Sequence, residues 1–253
     1  MCTLVIAWQA FADAPVVVAA NRDEALDRPS EPPAVIGDDP GVIAPRDADA
    51  GGTWIGYNTH GVFVAITNRW TDADLAGERS RGLLVRDALD GETAEDAARL
   101  AERAVGADEY DGFNLLVADA NAACLLEWDG GLRTGNLDPG VHIVMNVGAI
   151  GRVTIPESWP ERGEQQAANG RQVRETLQPE PSEQGREWRD RAADVLGDHD
   201  YGVCVHHEEF DFGTRSSSLV TIDADGTGEY QYADGPPCRT QFEPVEYCRS
   251  DVS

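Results

Sequence analysis

The 253-residue sequence predicts an α+β fold of layered antiparallel sheets, and three observations carry that prediction. Apolar, β-prone runs come in hairpin pairs, helical stretches come in adjacent pairs, and the two kinds alternate in blocks along the chain. Blocks of this sort suit antiparallel sheets with helices laid on their faces. A doubly wound parallel sheet would alternate single strands with single helices.

Residues 2–8 and 15–20 form the first strand pair, joined across Phe11-Ala12-Asp13-Ala14. The second of these runs into the polar cluster Asn21-Arg22-Asp23-Glu24. Prolines with Gly37 and Gly41 mark 27–45 as a long surface loop. A second hairpin spans 51–57 and 62–68 around a turn containing Gly61 and ends in Asn68-Arg69. Two helices follow at 81–90 and 93–105, with Thr93 and Asp96 placed as an N-terminal cap. Strands at 113–119 and 122–128 and another at 141–146 precede helices at 161–177 and 182–196. The last third returns to strands at 202–206, 215–222 and 228–232, with Asp225-Gly226 as a turn. We read 1–253 as one domain whose tail, from about residue 236, is peripheral.

Composition narrows the function classes. Hydrophobic residues make up 41% of the chain, enough for a large core, while the formal net charge is −26. All 20 basic residues are arginine, and the acidic residues are spread along the whole chain. An acid-coated globule of this kind stays soluble where salt screens its self-repulsion, which predicts a cytoplasmic protein of a salt-accumulating halophile. Such a surface repels nucleic acid and anionic membranes. No apolar run is long enough to span a bilayer, and no basic segment precedes the first one. There is no GxGxxG or GxxxxGK[ST] loop for nucleotides. Five cysteines at scattered positions fit a reducing compartment, with Cys124 and Cys204 read as inert core thiols. Cys238 and Cys248 could pair to clip the tail or bind a metal, but they lack CxxC-type spacing, so neither a metal nor another cofactor is predicted.

Chemistry concentrates at the first residues. Removal of Met1 ahead of the small Cys2 would leave a thiol and a free α-amine on one residue. An α-amine titrates at about 7.7–8.0 and serves as a base at neutral pH. A thiol beside such a base is a self-contained nucleophile. Polar residues at strand ends supply the remaining parts of an amide-cleaving site: Asn68 and Asn146 as oxyanion donors, Arg22 and Arg215 for a thiolate or carboxylate, and Asp23 for a charged amine.

Met-Cys-Thr at the start, Asn21-Arg22-Asp23-Glu24 and Arg28-Pro29 resemble the NRDE-motif family, also called Transport and Golgi organisation 2. Gly51-Gly52-Thr53-Trp54-Ile55-Gly56, Ala65-Ile66-Thr67-Asn68-Arg69, Ser80-Arg81-Gly82, Gly112-Phe113-Asn114-Leu115-Leu116 and Gly213-Thr214-Arg215-Ser216-Ser217 extend the resemblance, in order, to about residue 222. The chain departs from it after Asn146, with Ala149-Ile150-Gly151 and Ser158-Trp159-Pro160-Glu161 where the family tends to show Leu-Asp and Pro-Trp-Pro-Lys.

That family is similar to N-terminal nucleophile (Ntn) hydrolases, which implies a four-layer αββα sandwich. Cysteine-type members, the choloylglycine hydrolases and penicillin acylases, also open Met-Cys-Thr and use Cys, Arg, Asp, Asn, Asn and Arg in chain order. The resemblance therefore implies Cys2, Arg22, Asp23, Asn68, Asn146 and Arg215 as catalytic residues here. Asn21, Glu24, Trp54 and Arg69 are the candidate substrate contacts, although Trp54, like Trp70 and Phe63, also reads as packing at the core rim. Arg22 and Asp23 are adjacent, where that group spaces its Arg and Asp, so in a strand they face opposite ways. The expected activity is hydrolysis of a carbon–nitrogen bond in a small molecule. The alternative implied by the family is a haem or acyl-lipid and acyl-CoA carrier, with Cys2 or His206-His207 on the iron.

Overall fold

The computed structural model describes residues 2–37 and 39–246, the Glu208 side chain apart. The strands are β1 (Thr3–Trp8), β2 (Val16–Ala25), β3 (Ser30–Ile36), β4 (Val42–Asp47), β5 (Ile55–Asn58) and β6 (Phe63–Asn68). After helices α1 (Arg81–Ala88) and α2 (Ala94–Ala107) come β7 (Phe113–Ala118), β8 (Ala123–Trp128), β9 (Leu132–Asn136), β10 (Gly140–Met145) and β11 (Gly148–Ala149). Helices α3 (Pro160–Thr176) and α4 (Gly185–Gly197) precede β12 (His206–His207), β13 (Phe212–Ile222), β14 (Gly228–Ala233) and β15 (Glu243–Pro244).

The strands pair antiparallel into two sheets. One runs β11-β10-β1-β2-β13-β14-β15, with β12 on the end of β13; the other runs β3-β4-β5-β6-β7-β8-β9. Side-chain alternation along β1 and β2 explains the layering. Leu4, Ile6, Val16 and Val18 meet Ile55, Phe63 and Leu116 of the second sheet. Val5, Ala7, Val17 and Ala19 meet Trp188, Ala192 and Val173 of α3 and α4. On the outer face of the second sheet, Val64, Leu115 and Val117 bury Leu84, Val85 and Ala101 of α1 and α2. The order of layers is helix, sheet, sheet, helix, which is the αββα sandwich.

Three local expectations are corrected. Residues 27–45 are not a long loop but hold β3 and β4. The Pro32-Pro33 pair misled the reading, because β3 is a sheet edge, where missing N–H groups cost no ladder bond. The β3–β4 register shifts between Glu31 and Ala34, where those prolines sit. Residues 202–206 are not a strand; a single helical turn at His199–Tyr201 leads into an irregular segment, and only His206–His207 pair with β13. The predicted strand at 51–57 begins only at Ile55, which frees Gly51–Trp54 to form a lip beside the site. β9 was missed because Leu132–Asn136 is a polar edge strand without apolar alternation.

One close contact places a site residue. The Gly52 chain runs against the first turn of α1, with Thr53 N–H donating to Gly82 C=O at 3.0 Å. A Cβ at Gly52 would lie 2.2 Å from the Gly82 carbonyl carbon, so only glycine allows this approach. Gly52→Ala should lower unfolding stability by about 1–3 kcal/mol, as overpacking does, read as a fall in the denaturant midpoint. Gly106→Ala, where nothing lies within 4 Å, is the matched control and should not destabilise.

Candidate active site

Register brings the first residue of interest between the polar stretch of β2, which continues as a strand through Asn21–Glu24 rather than ending there as expected, and the polar residue that follows β10. Thr3 pairs with Asn21 on one side and Met145 on the other, so Cys2 lies between Arg22 and Asn146. The Cys2 nitrogen donates to Asn146 Oδ1 at 3.2 Å, and its thiol points at the Asp23 carbonyl oxygen, 3.7 Å away. Burial pushes the Cys2 thiol pKa up; the chain's N-terminal charge and Arg22 oppose that and the Asp23 carboxylate adds to it. The cysteine is therefore a neutral thiol at neutral pH and needs a base to become a nucleophile.

The orientation of Asn146 follows from a chain of fixed partners. Val147 N–H is a donor only, so Gln166 must present Oε1 to it, at 3.0 Å. Gln166 Nε2 then donates to Asn146 Oδ1 at 2.9 Å, and Asn146 Nδ2 donates to the Asn68 carbonyl at 2.8 Å. Asn146 thus offers its oxygen to the Cys2 nitrogen and uses a donor on Asn68. It presents its oxygen, not its NH₂ group, to the Cys2 nitrogen, which differs from the oxyanion-donor geometry expected from sequence. Gln166, fully buried on α3, was not picked out, since nothing in a helical run marks one glutamine among several.

Asn68 closes β6, with an exposed side chain on the rim of two cavities that meet at Cys2. The larger, about 450 Å³, lies between the sheets and is lined by Arg22, Glu24, Trp54, Asn68, Arg81 and the α1 start among others. The smaller, about 230 Å³, is lined by Cys2, Asp23, Glu24, Asn68, Trp70, Asn146, Trp159, Arg162 and Phe212. Trp70 and Trp159 meet edge to face at 5.8 Å, and Arg162 lies over Trp70 at 5.6 Å. The Ser158-Trp159 segment, where the sequence departs from its family, therefore forms a wall of this second cavity.

Arg22 and Asp23 leave β2 on opposite faces and flank the cysteine. Arg22 enters the inter-sheet cavity with its guanidinium 4.1 Å from the Trp54 ring centroid. Glu24 and Asp47 approach Arg22 Nη2 at 3.6 and 3.7 Å, whereas Nη1 is buried with no hydrogen-bond partner among the described residues. Asp23 Oδ1 accepts from Thr214 Oγ1 at 2.6 Å. Burial raises the Asp23 pKa, against the pull of the chain's N-terminal charge, the Thr214 bond and His207. Arg81, at the first position of α1, lines the same cavity as Arg22 and donates to the Gly112 carbonyl at 2.9 Å; burial lowers its pKa, and Asp111, Cys2 and Glu24 hold it up. Sequence reading did not select Arg81 as a site residue, because its place depends on the Gly52–Gly82 contact.

Four expectations are corrected by geometry. Asn21 lines the larger cavity, but its side chain is turned to the helical layer, donating to the Leu196 and Val203 carbonyls at 3.0 and 2.9 Å and accepting from Ser217 Oγ. Arg69 is taken up by Asn114, Glu127, Asp129 and Thr154 and lines neither cavity. Arg215 sits where the β13 register shifts and pairs with Asp234 at 2.8 Å rather than with the cysteine. His206 turns toward Cys204 and Cys238, so Cys204 is not an isolated core thiol, and neither His206 nor His207 lines the cavities at Cys2. Cys248 lies outside the described residues, and with it the Cys238–Cys248 pairing.

Among the described residues no helix is long and apolar enough to cross a membrane. In overall shape the chain is similar to the N-acylethanolamine-hydrolyzing acid amidase ortholog of Caenorhabditis elegans, with a TM-score of 0.59 at 12% identity over 89% of this chain and 94% of that one. It is also similar to a variant of the conjugated bile acid hydrolase of Clostridium perfringens, with a TM-score of 0.50 at 11% identity over 98% and 97%. At such identities these likenesses establish the fold, that of Ntn hydrolases. In sequence the chain is 28% identical to the Transport and Golgi organization protein 2 homolog of Bos taurus over 83% of each chain, and 27% identical to that of Homo sapiens over the same shares. The model of the family described as Transport and Golgi organisation 2 matches residues 1–233, and the chain belongs to that family.

Proposed function

We propose that the protein is a cysteine Ntn hydrolase that cleaves an amide bond of a small N-acyl compound, with Cys2 as nucleophile once Met1 is removed. The observation that carries this reading is the placement of Cys2: its nitrogen is held by an oriented Asn146, and its sulfur sits where two cavities meet. One cavity can take the acyl group and the other the leaving amine.

The α-amine accepts the thiol proton as sulfur attacks the carbonyl carbon. The carbonyl oxygen becomes an oxyanion within reach of the Asn68 amide at the rim. As the intermediate collapses the carbon–nitrogen bond breaks, and the α-ammonium returns its proton to the leaving nitrogen. Water, deprotonated by the same amine, then attacks the thioester carbon, releasing the acid and restoring the thiol. The bare Arg22 Nη1, with Arg81 opposite, gives the larger cavity a carboxylate-binding character and favours substrates with an anionic group. Hydrolysis is favoured over haem carriage because neither His206 nor His207 lines the Cys2 cavities and His206 is turned to Cys204 and Cys238. The acid-rich, lysine-free surface supports a halophilic cytoplasmic setting.

A panel of N-acyl amides with neutral and anionic termini, assayed by product release, tests the reading. Turnover of none of them by chain with a verified Cys2 N-terminus would sink it. Asn68→Ala should reduce kcat by about 10²–10³-fold with little change in KM, the usual loss for one oxyanion donor.

A further inference from the structure

Away from the cavities, four side chains from separate segments meet at one point. His199 comes from the helical turn after α4, Cys204 from the irregular segment that follows, His206 from β12, and Cys238 from the turn after β14. Their ligand atoms all lie within 4.8 Å of one another. Cys204 Sγ is 3.5 Å from His206 Nε2, which is 3.2 Å from Cys238 Sγ, and the two imidazoles meet edge to face at 5.2 Å. Bonds of about 2.3 Å to sulfur and 2.0–2.1 Å to nitrogen around a tetrahedral ion place neighbouring ligand atoms roughly 3.3–3.8 Å apart. The observed spacings are close to that frame.

We propose that His199, Cys204, His206 and Cys238 bind one zinc ion in a closed, structural Cys₂His₂ site. Two thiolates with two neutral imidazoles suit zinc, whereas magnesium and calcium take oxygen ligands. On binding, both thiols lose their protons to solvent as the two zinc–sulfur bonds form. Four protein ligands leave no position for water or substrate, so the ion fastens and does not react. Metal-type spacing is hard to see in the sequence because three ligands crowd into residues 199–206 without a CxxC pattern and the fourth, Cys238, comes 32 residues beyond His206.

What the ion fastens lies behind the nucleophile. Val205, between two of the ligands, donates its N–H to Thr214 Oγ1 at 2.9 Å and accepts the Thr214 N–H at 2.8 Å. Thr214 Oγ1 in turn donates to Asp23. The zinc clip thus ties the Cys238 turn to the segment that positions Asp23. This link to catalysis rests on the hydrolase reading; metal binding itself does not.

Tag-free full-length protein from zinc-supplemented growth should carry one zinc per chain by elemental analysis and native mass spectrometry. Cys2→Ala should retain it, and Cys204→Ser and Cys238→Ser should each lose it. Cobalt added to metal-stripped wild-type chain should give tetrahedral d–d bands with thiolate charge transfer, a readout that does not depend on the variants folding. Chelation should lower the melting temperature of the wild type and of Cys2→Ala and leave those of Cys204→Ser and Cys238→Ser unchanged. The proposal is overturned by wild-type chain that neither carries zinc nor takes up cobalt tetrahedrally, by zinc retained in the Cys204→Ser/Cys238→Ser double variant, or by a native Cys204–Cys238 disulfide.

Discussion

Cys2→Ala should reduce amide hydrolysis by on the order of 10⁶-fold, the scale of loss when a covalent nucleophile is removed. Its melting temperature should stay near the wild-type value, because the side chain lines a cavity with a long thiol contact to the Asp23 carbonyl, and the nitrogen bond to Asn146 survives the change. Cys2→Ser is the sharper variant. It keeps the size, the α-amine and the Asn146 contact, yet replaces the sulfur with a poorer nucleophile, so binding persists while turnover falls. Retention of Met1, forced by a bulky second residue ahead of the cysteine, should be as damaging as Cys2→Ala, since a peptide nitrogen is no base. With burial holding the thiol neutral, alkylation of Cys2 by iodoacetamide should quicken as pH rises. An Arg22→Ala chain should need still higher pH, because the guanidinium lowers the thiol pKa. Equal turnover by Cys2→Ala and wild type would remove the mechanism altogether.

Much of this arrangement was legible in the sequence because strand ends are local features. A strand that runs into Asn21-Arg22-Asp23-Glu24 or stops at Asn68 or Asn146 announces where side chains emerge. Antiparallel pairing of β1 with β2 and β10 then brings those ends to Cys2. The adjacency of Arg22 and Asp23, awkward for two residues of one site, resolves because the cysteine stands between the faces. What could not be read is which way a polar side chain spends its hydrogen bonds. Asn21 and Arg69 have the same chemistry as the residues that stayed at the site. Asn21 shares the helix-facing side of β2 with Asp23 but is held there by the Leu196 and Val203 carbonyls and Ser217, and Arg69 lies just past the end of β6 among buried acceptors. Arg81 and Gln166 depend on packing between distant segments, and the cluster at His199, Cys204 and His206 takes its fourth member, Cys238, from 32 residues further on.

Asp23→Asn tests the base itself and should cost about 10⁴-fold in kcat, comparable to loss of the buried carboxylate in a serine protease triad. That cost follows from the buried position of Asp23, its bond from Thr214, and its place beside Cys2 on the cavity wall. A carboxylate there stabilises the α-ammonium that forms when the amine takes the thiol proton, which a neutral amide cannot do. Because burial raises the carboxyl pKa, Asp23 takes up its proton at a higher pH than an ordinary aspartate. Activity that needs the ionised form is therefore lost as pH falls through that raised value, earlier than a surface carboxylate would dictate. In the wild type, the kcat–pH profile should show this acid limb. In Asp23→Asn the residual rate should lack it and depend on pH only through the amine. Thr214→Val, which removes the hydroxyl donor but keeps the carboxylate, should shift the limb to still higher pH with a smaller loss of rate. A wild-type acid limb that survives unchanged in Asp23→Asn would assign it to another group and leave Asp23 a structural anchor for β13.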